Sequence, residues 1–231
     1  MSRPSLDWRH DNEGVLQLKD PGEEEKTELD EQLKKTLIKV AGFYDNRKVG
    51  DTGPLGFRRS TDLMTVFNCL DRLLGQKIIK PRETLFMDLG CGDGRLNVFM
   101  SYLVKTSVGI ELDEWTLKES YPLKSKLNEN LKRDGLLPPP DNILLFQGDA
   151  TDQAVHETIL RDTGVPFEQF DIFYTYLVMH EEFARLIARK AKRGSILMVY
   201  GLDMILPKYE GMQLMEAVSP LEGILTLYQK A

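Results

Sequence analysis

LFMDLGCGDGR, residues 85–95, joins an apolar run to three glycines at alternate positions, and SVGIEL, residues 107–112, follows it. The apolar run is typical of a buried strand, and glycines let a chain turn sharply and approach a ligand closely. The two segments therefore predict a strand, a glycine-rich turn, a helix and a second strand that ends at Glu111. A carboxylate at that point can accept hydrogen bonds from both hydroxyls of a ribose, so the pattern predicts a nucleotide-cofactor site.

The charges around the glycines indicate which kind of cofactor fits. Arg95 stands where a dinucleotide-binding loop has its third glycine, and Asp88 and Asp93 flank the turn. Two carboxylates would repel a pyrophosphate, so we expect a cofactor with a positive charge and no phosphate. S-adenosylmethionine is such a cofactor, because its methionine moiety carries an ammonium group and its sulfonium is cationic.

Strand patterns alternate with helix patterns after Pro81, which favours a parallel sheet. Five strands are predicted, at 84–88, 107–111, 143–147, 170–176 and 196–200, and a hairpin of two more, at 212–218 and 224–228, closes the chain. Helices are predicted over 27–44, from Ser60 or Thr61 to about 74, over 95–104, over 114–130, around His156, and over 181–191. The expected fold is α/β, a doubly wound Rossmann-like seven-strand sheet with helices on both faces.

Composition suggests three parts and sets limits on function. Residues 1–26 are polar and acidic and are expected to form a flexible arm, residues 27–80 a helical cap or lid, and residues 81–231 the cofactor-binding core. The net charge of −6 argues against nucleic acid as a partner. Cys69 and Cys91 are far apart, the three histidines lack metal-ligand spacing, and no apolar run is long enough for a membrane span. We therefore expect a cytoplasmic protein without a metal; nothing indicates its oligomeric state.

Three motifs resemble those of a known family. FMDLGCGDG at 86–94 and Glu111 look like the first two motifs of the seven-strand S-adenosylmethionine-dependent methyltransferases, and GDA at 148–150 resembles the third. The resemblance implies S-adenosylmethionine as the cofactor, with the methionine moiety at Asp88 and Gly90, the ribose at Glu111 and the adenine at Asp149. It implies the following further cofactor-binding residues: Gly92, Gly94, Leu112, Ala150 and Tyr174. Trp115 either stacks on adenine or packs in the core.

The acceptor is expected to lie at the end of the fourth strand, in FDIFYTYLVMH, residues 170–180. This segment lacks the Asn/Asp-Pro-Pro-Tyr/Phe motif for planar amino groups and has no cysteine nucleophile. It resembles the same region of the compact archaeal-type protein-lysine methyltransferases and their mitochondrial relatives, as do GFRRST at 56–61 and YGLD at 200–203. Met179 departs from the Pro or Thr common there. The resemblance implies a protein lysine as acceptor.

Three side chains are candidates for catalysis. Tyr174 and Tyr176 lie one pleat apart and face the same side, so they could wall a dry slot that lowers the pKa of a lysine and orients its amine. One or both could instead pack against a helix. His180 is either a general base or a surface or capping residue. Three other functions stay open: methylation of a small molecule, methylation of RNA, and a non-catalytic cofactor-binding subunit.

Overall fold

The computed structural model describes residues 8–10, 16–18, 29–47, 60–202 and 206–231. Its strands are β1 (Trp8–His10), β2 (Leu16–Leu18), β3 (Leu85–Leu89), β4 (Thr106–Glu111), β5 (Ile143–Gln147), β6 (Ile172–Tyr176), β7 (Ile196–Tyr200), β8 (Met212–Leu214) and β9 (Leu225–Lys230). Its helices are α1 (Glu31–Asp45), α2 (Leu63–Gly75), α3 (Arg95–Ser101), α4 (Glu114–Arg133), α5 (Gln153–Thr163) and α6 (His180–Lys190), with a 3-10 turn at Phe167–Gln169.

Seven of the strands form one sheet in the order β5-β4-β3-β6-β7-β9-β8. The central strand β3 pairs in parallel with β4 on one side and β6 on the other. β9 runs antiparallel to both of its neighbours, β7 and β8. The predicted seven-strand fold is thus confirmed. The chain order reverses at β3, and in open α/β sheets the crevice for a ligand lies at the carboxyl ends of the strands around such a reversal.

Helices cover both faces of this sheet, as the alternation of apolar side chains requires. Phe86 and Tyr174 lie in one buried cluster, together with residues of α1, α2, α3 and α4. Met87 and Phe173 are their neighbours in the chain, face the opposite side of the sheet, and lie in a second cluster with residues of α5 and α6. The two helices of the predicted cap therefore share the core of one sheet face. The division into arm, cap and core stays a prediction.

The start of α2 differs from the prediction. Its N-cap is Asp62, whose carboxylate accepts a hydrogen bond from the Thr65 amide at 2.6 Å, rather than Ser60 or Thr61. Asp45, the last residue of α1, also accepts from the Leu63 and Met64 amides at 2.9 and 3.0 Å. These contacts satisfy amides that have no partner within a helix, so the end of α1 fixes the beginning of α2.

The predicted arm is described only in part. β1 and β2 pair antiparallel within it, which composition did not predict, and the rest of residues 1–26 lies outside the described residues. Among the helices that the structure describes, none is long and apolar enough to cross a membrane.

Candidate active site

A cavity of about 660 Å³ opens at the carboxyl ends of β3, β4 and β6, where the chain order reverses. Most of the candidate residues line it, although they come from four different strand ends and loops. The structure brings together the following predicted residues around this cavity: Asp88, Gly90, Gly92, Glu111, Leu112, Asp149, Ala150, Tyr174 and Tyr176. Gly94 and His180 are not among the lining residues.

The glycine-rich turn is tied to the end of β4. The amides of Gly90 and Cys91 both donate to the Ile110 carbonyl at 2.9 Å, which folds the loop back over the neighbouring strand. Gly94 has a φ of +74° and precedes α3, and a Cβ there would lie 2.9 Å from Cδ1 of Leu145. Gly94 is thus required for the turn and for packing rather than for contact with the cavity.

Glu111 is held in place by two backbone amides. Its Oε2 accepts a hydrogen bond from the Gly92 amide at 2.8 Å, and its Oε1 accepts from the Asp113 amide at 2.9 Å. A carboxylate has about four acceptor sites, so two stay available after these bonds form. The side chain is therefore oriented before any ligand arrives, with acceptor capacity left for a pair of hydroxyls.

Asp88 is the buried acceptor of the cavity. The residue is 3% exposed, and its Oδ1 has no hydrogen-bond partner among the described residues. Burial raises the pKa of this carboxyl well above its ordinary value, and the neighbouring charges of Glu111 and Asp93 raise it further. A buried acceptor without a partner is costly for the fold, and native proteins rarely keep one without a reason. The position suits a donor, above all a cationic one.

The charge of Asp93 is paired within the protein, unlike what we expected from the sequence. Its carboxylate accepts from Nε and Nη2 of Arg95, both at 3.0 Å, and both side chains are buried. The Arg95 guanidinium also lies 5.6 Å from the ring centre of Tyr44 on α1. The charge of Asp93 is therefore balanced within the protein, although the sequence interpretation counted it as free. Asp88 and Glu111 are the other two carboxyl groups next to the glycine turn.

The adenine end predicted from the third motif follows β5. Oδ1 of Asp149 accepts from the amide and from the hydroxyl of Thr151, both at 2.8 Å. These hydrogen bonds lower the pKa of Asp149, so this carboxylate stays ionised at neutral pH. Leu112 is 66% exposed and lies along the same part of the cavity.

The two candidate tyrosines differ in their surroundings. Tyr174 is buried, its hydroxyl is 2.5 Å from Oγ1 of Thr61, and its pKa is raised chiefly by burial. Tyr176 is partly buried, and its ring centre lies 5.6 Å from that of Tyr200. Both residues belong to the same sheet face and both line the cavity, so each packs in the core and is also placed where it can contact a ligand.

His180 and Trp115 lie elsewhere. His180 begins α6, and its Nδ1 is 2.6 Å from the hydroxyl of Tyr209. Trp115 is 80% exposed, so the alternative that it packs in the core is wrong, and it is not a lining residue of the cavity.

Several residues that line the cavity were not identified as candidates from the sequence. Thr61 binds Tyr174 across 113 positions of the chain, and no local pattern signals such a contact. The following missed residues line the cavity: Ser60, Thr61, Leu96, Thr175, Leu177, Val178 and Met179. Met179 has a φ of +54°, in the left-handed region that β-branched and bulky side chains avoid.

No protein-family model matches the chain, and no curated protein matches it. Among solved structures, an RNA methyltransferase from Salinibacter ruber in complex with S-adenosyl-L-homocysteine is 19% identical, with 75% of this chain and 92% of that chain covered and a TM-score of 0.45. The tRNA methyltransferase TrmI from Aquifex aeolicus is 13% identical, with 86% and 76% covered and a TM-score of 0.47. An O-methyltransferase from Bacillus cereus in complex with S-adenosylhomocysteine is 14% identical, with 68% of that chain and 76% of this one covered and a TM-score of 0.41.

The sheet itself identifies the fold, because backbone pairing sets the order and the direction of its strands. Five parallel strands flanked by an antiparallel β9 and the edge strand β8 form the sheet that the sequence motifs led us to expect. The described residues thus have a Rossmann-like α/β fold with a seven-strand mixed sheet.

Proposed function

We propose that the chain is an S-adenosylmethionine-dependent methyltransferase. The observation that carries this proposal is the unpartnered Oδ1 of Asp88 on the floor of the cavity, which fits the ammonium group of a methionine moiety. Glu111 keeps acceptor sites for the ribose hydroxyls, since the Gly92 and Asp113 amides occupy only part of its capacity. Asp149 would accept from the adenine amino group, and the Ala150 amide would donate to the ring. When bound, the cofactor supplies a methyl group that its sulfonium has already activated.

We further propose that the acceptor is a lysine side chain of a protein. Among the lining residues that the structure describes, Arg95 is the one cation, and Asp93 balances it. The carboxylates of Asp88, Glu111 and Asp149 make the cavity favourable for a cationic group and unfavourable for a phosphate. This charge distribution supports an amine over an RNA acceptor. A small amine would satisfy the same charges, so a small-molecule acceptor is the second candidate.

A lysine must lose its proton before its nitrogen can attack, and its pKa in water is about 10.4. The aromatic wall of Tyr174 and Tyr176, with Leu177 and Val178 nearby, would disfavour the ammonium form and exclude water. The hydroxyl of Tyr174 already bonds to Thr61, so Tyr176 is the better candidate for contact with the amine. His180 has no part in this proposal, because it lies outside the lining and bonds to Tyr209.

The test is methyl transfer from radiolabelled S-adenosylmethionine into an extract of the source cells. We expect label in a protein band that survives ribonuclease and yields methyl-lysine on hydrolysis. Glu111→Ala, which removes the proposed ribose contacts, serves as the control and should leave the band unlabelled. Label confined to the small-molecule fraction would replace the lysine by a metabolite, and label lost on ribonuclease treatment would replace it by RNA. If the wild-type chain does not bind S-adenosylhomocysteine in calorimetry, the proposed cofactor itself is wrong.

A further inference from the structure

The turn that follows β5 is tied to the protein core through one histidine. The Asp152 amide donates to the Asp149 carbonyl at 3.0 Å, which closes a tight turn over residues 149–152. Nε2 of His156, on α5, lies 2.9 Å from the Ala150 carbonyl oxygen. A carbonyl oxygen can only accept a hydrogen bond, so Nε2 carries the proton and donates it. His156 thus holds the peptide between Ala150 and Thr151, next to the cavity.

The surroundings of His156 keep it in this state. The residue is 4% exposed, and its Nδ1 is buried with no partner among the described residues. Its ring stacks on Phe167 with a centroid distance of 4.3 Å and an interplanar angle of 25°, and Phe167 in turn lies 4.8 Å from Phe173 on β6. Burial lowers the pKa of His156, so the ring is neutral and has one N–H to donate.

From this geometry we infer that His156 is a positioning residue for base recognition, an inference that rests on the proposed function. Asp149 and Ala150 would read the edge of the adenine, but both sit on a turn whose Ala150 carbonyl is fixed by His156 alone among the described side chains. Thr151 fixes the Asp149 carboxylate from the other side. His156 does not line the cavity, so it acts on the base only through the orientation of this turn.

Base discrimination separates this role from a purely structural one. Adenine offers an amino group and a ring acceptor, whereas hypoxanthine offers a carbonyl and a ring N–H, so both contacts with the turn are mismatched. Calorimetry on the wild-type chain should show S-adenosylhomocysteine binding roughly tenfold or more tighter than S-inosylhomocysteine, as expected for a lost hydrogen bond to a charged acceptor. His156→Phe keeps the ring on Phe167 but removes the N–H, and the preference should fall below about threefold.

Two further variants and one measurement on the wild-type chain complete the test. In His156→Gln the side-chain amide can reach the place of Nε2 and should restore the preference, whereas His156→Asn is too short and should not. Nitrogen NMR of the wild-type imidazole should show the Nε2–H tautomer. An unchanged preference in His156→Phe, equal behaviour of the Gln and Asn variants, or an Nδ1–H tautomer would each overturn the inference. Failure of the wild-type chain to bind either ligand would instead overturn the proposed function.

Discussion

Replacing Asp88 by Asn should make the protein more stable and its ligand binding weaker. The wild-type carboxyl is buried, lacks a partner for Oδ1 and lies near two other carboxylates, so its ionised form is unfavourable in the folded state. The amide of Asn has nearly the same shape and no charge. A neutral unpaired amide is less costly to bury than an unpaired carboxylate, so we expect a gain of about 1 kcal/mol or more in the free energy of unfolding.

The sign of the pH dependence follows from the raised pKa. An unfolded aspartate ionises near pH 3.9, whereas the folded carboxyl of Asp88 keeps its proton to a higher pH. The folded wild-type chain is thus increasingly penalised as pH rises above about 4, until its own carboxyl ionises. The advantage of Asp88→Asn should therefore be small at pH 4 and larger at pH 8. For a chain of this length, 1 kcal/mol corresponds to roughly 2–4 °C in Tm.

Binding should change in the opposite direction. A hydrogen bond between charged groups contributes about 1.5–3 kcal/mol, so its loss should weaken S-adenosylhomocysteine binding by roughly 10- to 150-fold. Thermal melting at both pH values and calorimetry at pH 8 measure the two effects on one preparation. Asp171→Asn, at a partly exposed carboxylate paired with Lys192 far from the cavity, is a control that should leave binding unchanged. A less stable Asp88→Asn chain would refute the argument from the buried carboxyl, and unchanged affinity would refute the assignment of Asp88 to the ammonium group.

Three other predictions concern the same site. Because the ammonium group favours the ionised form of Asp88, binding of the cofactor should release a proton. The affinity of the wild-type chain should therefore rise with pH until the carboxyl of the free protein ionises, and the calorimetric enthalpy should depend on the buffer. Asp88→Asn should show neither effect. Glu111→Ala removes the ribose acceptor and leaves two amides without their partner, so affinity should fall roughly 100-fold or more, with Glu111→Gln intermediate in the same titration. Arg95→Met leaves the Asp93 carboxylate buried without its cation and should lower the free energy of unfolding, measured by urea denaturation, by about 3–5 kcal/mol. A second change in the same chain, Asp93→Asn, should recover part of that loss. Full stability of the Arg95→Met chain would contradict the pairing.

The fold was predictable because its signals are local and repeated. Apolar runs of strand length alternate with helical periodicity after Pro81, and each strand end carries a turn signal. The helix boundaries were less accurate where a distant residue decides them. α2 begins one or two residues later than expected, because Thr61 bonds to Tyr174 on β6 and leaves Asp62 as the cap. Such a choice depends on a tertiary contact that neither segment shows by itself.

The grouping of the candidate residues around one cavity was predictable from the sequence, whereas the pairing of their charges was not. Motif spacing placed Asp88, Glu111 and Asp149 at the ends of neighbouring strands, and the structure brings all three to one cavity. The sequence could not show that Arg95 turns back to Asp93, since adjacent charges in a loop can point in any direction. The sequence placed His156 only in a short helix. Its hydrogen-bond partner is the backbone carbonyl of Ala150, and a contact with the backbone cannot be predicted from residue types.

The different support of the three carboxylates suggests how the cavity distinguishes the parts of its ligand. Asp88 has no described hydrogen-bond donor and is destabilised when ionised, so it selects a group that brings a positive charge. The Gly92 and Asp113 amides orient Glu111, and the Thr151 amide and hydroxyl orient Asp149, so the remaining acceptor sites of both can receive hydrogen bonds from neutral donors. The cavity thus has one buried carboxyl without a described donor and two oriented acceptors. This arrangement fits a ligand that is cationic at one end and carries hydroxyl and amino donors at the other.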